Sequence, residues 1–334
     1  MTEKQRILSG MRPTGALHLG NLHGALRQWI KLQEEYDCFF FIADWHALTT
    51  DYENPGNLAE YTRQMVTDWL SAGLSPEKST FFIQSQVKEH AELFLILSML
   101  TPTAWLERNP TYKDQMSQLS EKDIATFGLL GYPVLQAADI IMYKTNLVPV
   151  GEDQVPHVEI TREIARRFNH IYGEVFPEPQ HLLTKTPRLL GLDRRKMSKS
   201  YGNAIYMSDS PEAIAEKTAR MITDPQRARK SDPGDPTVCN VYEFHRLYTE
   251  EEVVTEIGES CRSAAIGCIE CKKKLAESLA LGLAPIREIN LYYHERPHLV
   301  DEIISHGTRQ ARLVAERTMT EVRRAISIRH DIIR

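Results

Sequence analysis

The chain has 334 residues, 42% hydrophobic and 25% charged, with Gly and Pro at 17 each, and its 40 Lys+Arg against 45 Asp+Glu give a formal net charge of −5. This is the composition of a soluble globular protein of about two domains; it excludes a disordered or fibrous chain and a generally basic protein that coats nucleic acid. The apolar run Cys38 to Ala43 is far short of the ~20 residues that span a bilayer, and the start Met1-Thr2-Glu3-Lys4 does not read as a secretory signal, so the expected location is the cytoplasm and no membrane partner is expected.

Short apolar runs predict buried strands at Ile7-Leu8, Cys38 to Ala43, Thr80 to Ile83 and Leu147 to Val150. Helical spacing follows the first of them at Leu22, Leu26 and Trp29 or Ile30. Strands alternating with helices imply an α/β fold, a Rossmann-like parallel sheet with helices on both faces and ligands at the carboxyl ends of its strands. The Pro- and Gly-bearing stretch from Phe176 to Asp193 carries few periodic apolar positions. Beyond it, Ser210-Pro211 predicts a capped helix to about Ile222, and after the turn-rich Asp224-Pro225 and Asp232 to Pro236 only helices are expected. The last has Ala311, Ala315, Met319, Val322 and Ile326 at helical spacing, which suits a face packed on the body. The reading is an α/β catalytic domain over residues 1–195 and a smaller all-helical domain over 196–334, whose last helix is a candidate to pack back on the first.

Two segments carry chemistry. The first strand runs into Gly10-Met11-Arg12-Pro13-Thr14-Gly15-Ala16-Leu17-His18-Leu19-Gly20-Asn21 and then a helix. A strand, a tight turn and a helix N-terminus make an anion site, because free backbone N–H groups point at the ligand. His18 and Asn21 are one helical turn apart and can face the same phosphates, and Gly20 lets a flat ring or sugar approach the backbone. Far away in sequence, Arg194-Arg195 precede Lys196-Met197-Ser198-Lys199-Ser200. Two lysines three apart on a loop can close on a triphosphate and neutralise charge as pyrophosphate leaves.

The pair HxGN (His18 to Asn21) and KMSKS (Lys196 to Ser200) resembles the two ATP-binding motifs of class I aminoacyl-tRNA synthetases. The intervening segments resemble the tryptophanyl-tRNA synthetase family: Ile42 to Ala47, Leu106-Glu107-Arg108 with Thr111-Tyr112-Lys113, Tyr132 to Ile140, Pro149 to Gln154, and His157 to Asn169. The resemblance implies that Arg12, Pro13, Thr14, Gly20 and Asn21 contact ATP and that Gly151, Glu152 and Asp153 meet its ribose and adenine. Leu189 would lie near the adenine ring, and Lys196, Met197, Ser198, Lys199 and Ser200 would close over the phosphates, which Lys113 also approaches. Thr14, His18, Asn21, Lys113, Lys196 and Lys199 are the implied catalytic groups, with Mg2+ as the metal of the nucleotide. Asp139 would accept the indole N–H of L-tryptophan, Tyr132 and Gln154 would hold its ammonium and carboxylate, and His46 and Gln136 would complete the pocket. A buried, unpaired carboxylate at Asp139 would reject a ligand that lacks a donor, so phenylalanine is excluded; tyrosine carries a donor and is left to pocket depth. Many bacterial relatives carry Met where Gln136 stands, and many carry a second basic residue where Gln115 stands.

Five cysteines are too few for a disulfide scaffold, yet Cys239, Cys261, Cys268 and Cys271 cluster late in the chain. Four thiolates suit a soft metal. The spacing resembles a subset of tryptophanyl enzymes with a [4Fe-4S] cluster, with zinc the alternative and plain buried thiols the third reading. Arg262 and Lys272 to Lys274 flank these thiols. The function so implied is ATP-dependent ligation of tryptophan to tRNA(Trp) through an aminoacyl-adenylate, by a homodimer. A tyrosyl-tRNA synthetase or a tRNA-independent adenylyltransferase is the alternative, and no DNA partner is expected. Local charge leaves room for tRNA: residues 301–334 hold seven arginines against five acids, and 185–200 hold six basic groups against one acid. Arg227, Arg229, Lys230, the Lys272 to Lys274 run and the last helix are candidate contacts.

Overall fold

A computed structural model describes residues 4–53, 55–110, 112–113, 126–183 and 189–328. Its sheet has five parallel strands, β1 (Arg6–Met11), β2 (Asp37–Ile42), β3 (Ser79–Ile83), β4 (Leu147–Val150) and β5 (Gln180–Leu183), in the order β3-β2-β1-β4-β5. The chain steps from β1 outward to β2 and β3, then returns to place β4 on the other side of β1. Strand order therefore reverses between β1 and β4, and the crevice beyond their carboxyl ends is where such sheets bind ligands. All four strands marked by apolar runs are present. The fifth is a correction: β5 falls in the stretch after Phe176 that reads as irregular, because a four-residue edge strand with no buried residue leaves no apolar signal.

Successive side chains of a strand point to opposite faces, and both faces here are covered. On one, Ile7, Cys38, Phe40, Ile42 and Phe81 pack with Trp29 and Trp69, and the Trp29 and Phe40 rings stack at 4.4 Å. On the other, Leu8, Phe39, Phe41 and Phe82 pack with Ile140 and Phe168. Burying one such aromatic ring contributes about 2 kcal/mol. The first cluster continues through Met197, Ile205 and Met207 into Ile214, Val241, Phe244 and Leu275, so the sheet and the later helices share apolar packing.

The helix Pro211–Ala219 has Ser210 as its N-cap, whose hydroxyl accepts the Ala213 N–H, as the Ser-Pro pair predicts. The last helix, Pro297–Ala325, returns to the sheet: Ala311, Ala315, Met319 and Val322 are buried and Ile326 packs beside them. Gly307 makes the approach possible, since a Cβ there would lie 2.0 Å from the Phe81 carbonyl oxygen of β3. Gly307→Ala should therefore destabilise the fold by about 3 kcal/mol, read as a lower denaturant midpoint at unchanged slope. A midpoint equal to that of the wild type would contradict this packing.

Candidate active site

After β1 the chain turns through Arg12 to Leu17 and enters a short helix, Leu19–Asn21, followed by the π-helical turn Leu22–Leu26 and the helix Arg27–Glu35. π-turns inside helices are rare and gather at functional sites. His18 is the N-cap, and it forms a reciprocal box with Asn21. The Asn21 N–H donates to His18 Nδ1 at 3.3 Å, and the His18 N–H donates to Asn21 Oδ1 at 3.0 Å. With Nδ1 accepting, the neutral ring carries its proton on Nε2, a donor for an anion. The ring is neutral at pH 7, because burial, followed by the charge of Lys199, lowers its pKa to about 4. A Cβ on Gly20 would sit 2.9 Å from this ring, so only glycine fits between the cap and the Lys196 to Ser200 loop.

That loop docks on the turn, and the two motifs, distant in sequence, meet. Gly20 N lies 3.4 Å from Met197 Sδ, and Lys199 Nζ donates to Thr14 Oγ1 at 3.3 Å. Behind them the backbone is stitched by Leu19 N–H to Ile205 O at 2.9 Å and Met207 N–H to Leu17 O at 3.0 Å. Asn203 shapes the loop from beneath: its Oδ1 accepts the Ser198 N–H at 2.8 Å, and its Nδ2 donates to Asp193 Oδ1 at 2.7 Å and to Lys196 O at 3.2 Å. Burial of Lys199, opposed by the Asp68 carboxylate, brings its pKa down to about 8, so it is still mostly charged at pH 7.

A wide cavity of about 1250 Å³ lies over this arrangement, lined by Arg12, Thr14, His18, Gly20, Asn21, Gly151, Glu152, Asp153, Leu189 and Lys196 to Ser200. It thus gathers the expected ATP residues apart from two expected groups. Pro13 is buried under the turn, and Lys113 is exposed and lines neither this cavity nor the next. Thr111 and Gln115 lie outside the described residues.

A narrower cavity of about 310 Å³ adjoins it at the β1/β4 crevice and is lined by all five residues expected to hold the amino acid: His46, Tyr132, Gln136, Asp139 and Gln154. Met11, Arg12, Gly24 and Gly151 line both cavities. Asp139, in the helix Tyr132–Met142, has no exposed surface and, contrary to the unpaired carboxylate expected from the sequence, already has both oxygens taken by protein donors. His46 Nε2 donates to its Oδ2 at 2.7 Å, His90 Nδ1 donates to Oδ1 at 2.6 Å, and Gln84 Nε2 reaches both oxygens at 2.9 and 2.8 Å. The Tyr143 hydroxyl completes the chain at 2.7 Å from His90 Nε2. Burial pushes the Asp139 pKa up, but the hydrogen bonds from His46 and His90 and then their charges outweigh it, leaving the carboxyl below its ordinary value and ionised. Two polar atoms in this lining, His46 Nδ1 and Gln136 Oε1, are buried without a partner, as is Nε2 of neighbouring His157. A polar ligand would satisfy the first two.

The four late cysteines fall in neighbouring helices of the C-terminal region. Cys239 caps the start of the helix Asn240–Tyr248, Cys261 lies in Glu251–Arg262, and Cys268 and Cys271 open Cys268–Gly282. Burial and then the charges of Cys239, Cys261 and Cys268 push the Cys271 thiol up to about 12, so the four feel one another. All are free, Arg227 Nη1 lies 3.7 Å from Cys261 Sγ, and among the described residues no group of three or more His, Cys, Asp or Glu side chains is arranged to hold a metal ion. Arg227, expected as an RNA contact, is instead taken up within the fold, donating to the Lys230 and Ile266 carbonyls at 2.8 Å.

Gln84, His90, Tyr143 and Asn203 do not stand out in the sequence. Gln84 had a usable signal, a polar residue directly after the predicted strand Thr80 to Ile83, where ligands sit. His90 and Asn203 had none, because their importance depends on which buried group they face.

The family model described as tRNA synthetases class I (W and Y) matches residues 1–283. The tryptophan–tRNA ligase of Thermotoga maritima is 55% identical, over 97% of this chain and 99% of that one. That of Aquifex aeolicus is 46% identical, over 97% and 100%. Among solved structures, the tryptophanyl-tRNA synthetase of Campylobacter jejuni, complexed with ADP and tryptophan, superposes with a TM-score of 0.89 at 35% identity, over 97% of this chain and 100% of that one.

His18, His23 and His157 are each lowered to about 4, in every case by burial first. Between pH 6.5 and 4 the unfolded chain binds protons there that the folded chain does not. Each contribution to stability is therefore present above pH 6.5 and lost as pH falls toward 4. Histidine proton resonances followed by NMR should show these three rings unprotonated at pH 5.5; a midpoint near 6.5 at His18 would contradict the buried cap.

Proposed function

Because the chain belongs to the class I tRNA synthetases, and within them to the tryptophan–tRNA ligases, we propose that its two adjoining cavities hold ATP and tryptophan for formation of tryptophanyl-adenylate. The observation that carries this is their shared wall at Met11, Arg12, Gly24 and Gly151, at the end of β1. A tryptophan seated against Asp139 and an ATP seated over His18 would bring carboxylate and α-phosphate together there.

The carboxylate oxygen attacks the α-phosphorus, forming the mixed anhydride as the bond to the β-phosphate oxygen breaks and pyrophosphate leaves. No protein nucleophile is needed, so the protein contributes positioning and electrostatic stabilisation. His18 Nε2–H and Asn21 donate to phosphate oxygens, and Lys196 and Lys199 meet the charge that grows on the leaving pyrophosphate. Mg2+, when bound with the nucleotide, supplies further neutralisation. Tyr132 and Gln154 hold the α-ammonium and carboxylate, while His46 and Gln136 meet the indole side, His46 being fixed from behind by Asp139. A hydroxyl of the 3′ terminal adenosine of tRNA(Trp) then attacks the acyl carbon, forming the ester as the bond to phosphate breaks, its proton is lost and AMP leaves. Arg229, Lys230 and Lys273 are exposed and are the basic groups proposed to meet the tRNA.

The four cysteines would hold a [4Fe-4S] cluster or zinc that ties three helices together. Their mutual influence on one another's titration and the Arg227 guanidinium beside Cys261 support this, although the four side chains are not arranged around a metal position here, and the task is structural or tRNA-positioning. A homodimer is supported by exposed Leu95, Met99 and Phe127 on one side of the chain. None of the described helices is long and apolar enough to cross a membrane, and a cytoplasmic location remains part of this proposal.

Purified protein should catalyse tryptophan-dependent ATP–pyrophosphate exchange, and exchange with tyrosine alone would overturn the assignment. Lys199→Ala should slow that exchange by on the order of 100-fold with tryptophan affinity unchanged; an unaltered rate would remove the loop from its role. Anaerobic purification should yield brown, iron-containing protein, against which a colourless, zinc-loaded protein would decide.

A further inference from the structure

Asp68 lies within the helix Leu58–Ala72 with no exposed surface. Its Oδ2 accepts the Leu17 backbone N–H at 2.6 Å, immediately before the His18 cap. Its Oδ1 accepts from Gln64 Nε2 at 3.1 Å and from Asn290 Nδ2 at 2.8 Å. Asn290 belongs to the helix Ala284–His294, 222 residues along the chain, and is itself buried. Lys199 is the charged group that acts on Asp68; its other faces meet Gln64, the Leu17 amide and Asn290.

A buried carboxylate directly behind a phosphate-binding turn is an expensive choice. It loses hydration, and its charge repels the phosphates in front of it. An apolar residue would pack in mid-helix without either cost, so the carboxylate must provide something that packing cannot. Two things fit the geometry. It clamps the amide that leads into the His18 cap, and it joins that amide to Asn290 of a helix far along the chain.

We propose that Asp68 is a positioning residue for the activation step. It fixes the turn through the Leu17 amide, and through Asn290 it makes the placement of the C-terminal helices felt at the turn. Burial, partly offset by those three donors and by Lys199, pushes the Asp68 pKa up to about 6, so the clamp weakens on mild acidification. The proposal rests on the nucleotide reading of the wide cavity.

The test is ATP–pyrophosphate exchange across pH 5 to 8 on the full chain. Asp68→Asn should lower kcat about tenfold without raising KM for ATP or tryptophan, and should flatten the acid limb expected of the wild type near pH 6. Asn290→Ala, which keeps the carboxylate, should lower kcat in the same direction by less, and the double variant should lose less than the product of the two because both act on one carboxylate. Wild-type kcat with an unchanged acid limb in Asp68→Asn would overturn the proposal. So would equal loss in kcat and both affinities together with a lower melting temperature, the mark of a purely structural residue. If Lys199→Ala itself leaves exchange intact, the nucleotide reading fails first; if Lys199→Ala is slow and both Asp68→Asn and Asn290→Ala are not, only the positioning role fails.

Discussion

Asp139 is the constraint around which the narrower cavity is built. A fully buried carboxylate without partners costs several kcal/mol, and this one is matched by three donors drawn from separate elements: His46 from the helix after β2, Gln84 from the turn after β3, and His90 from the helix that follows. The same strand ends are tied a second way, through Asp44, whose Oδ1 accepts the Ser85 N–H at 3.0 Å. Satisfying one charge thereby sets the relative placement of β2, β3 and the helix Tyr132–Met142. The cavity between them has little freedom to vary in width. Removing any donor leaves a buried charge short of a partner, so His90, which lines neither of the two cavities, still bears on the shape of the narrower one.

The wide cavity is built on a different principle. Its wall is backbone: the capped turn after β1, pinned by Leu19 to Ile205 and by Met207 to Leu17. On that frame sit side chains whose pKa values burial has shifted, a neutral His18 and a Lys199 whose charge is less costly to hand to an incoming phosphate. At the strand reversal between β1 and β4 the two cavities share Met11, Arg12, Gly24 and Gly151, and under the proposed reading an amino acid in one and a nucleotide in the other would meet there.

Much of this was legible in the sequence because it is periodic or local. Apolar runs marked four strands, the Ser210-Pro211 pair marked a helix start, and Ala311 to Val322 marked a buried face, since each follows from the geometry of one element. The glycine-bearing turn and the lysine loop were legible as separate candidate anion sites for the same reason, and their meeting over one cavity was not. What was not legible depends on tertiary encounter. The edge strand β5 buries no residue, and His18 and Asn21 were read as facing phosphates when each also caps the other. Arg227 was read from its charge as an RNA contact, but its partners are carbonyls brought together by folding. Asp68 and Asn290 lie too far apart in sequence for any local pattern to connect them.

The most direct test of the central claim is the kcat/KM for tryptophan in Asp139→Asn, measured by ATP–pyrophosphate exchange with KM for ATP followed in parallel. An amide at this position forfeits the charge and turns a donor toward His46, Gln84 or His90. The account predicts a fall in kcat/KM for tryptophan on the order of 1000-fold with KM for ATP unchanged. Wild-type kcat/KM for tryptophan in that variant would contradict it.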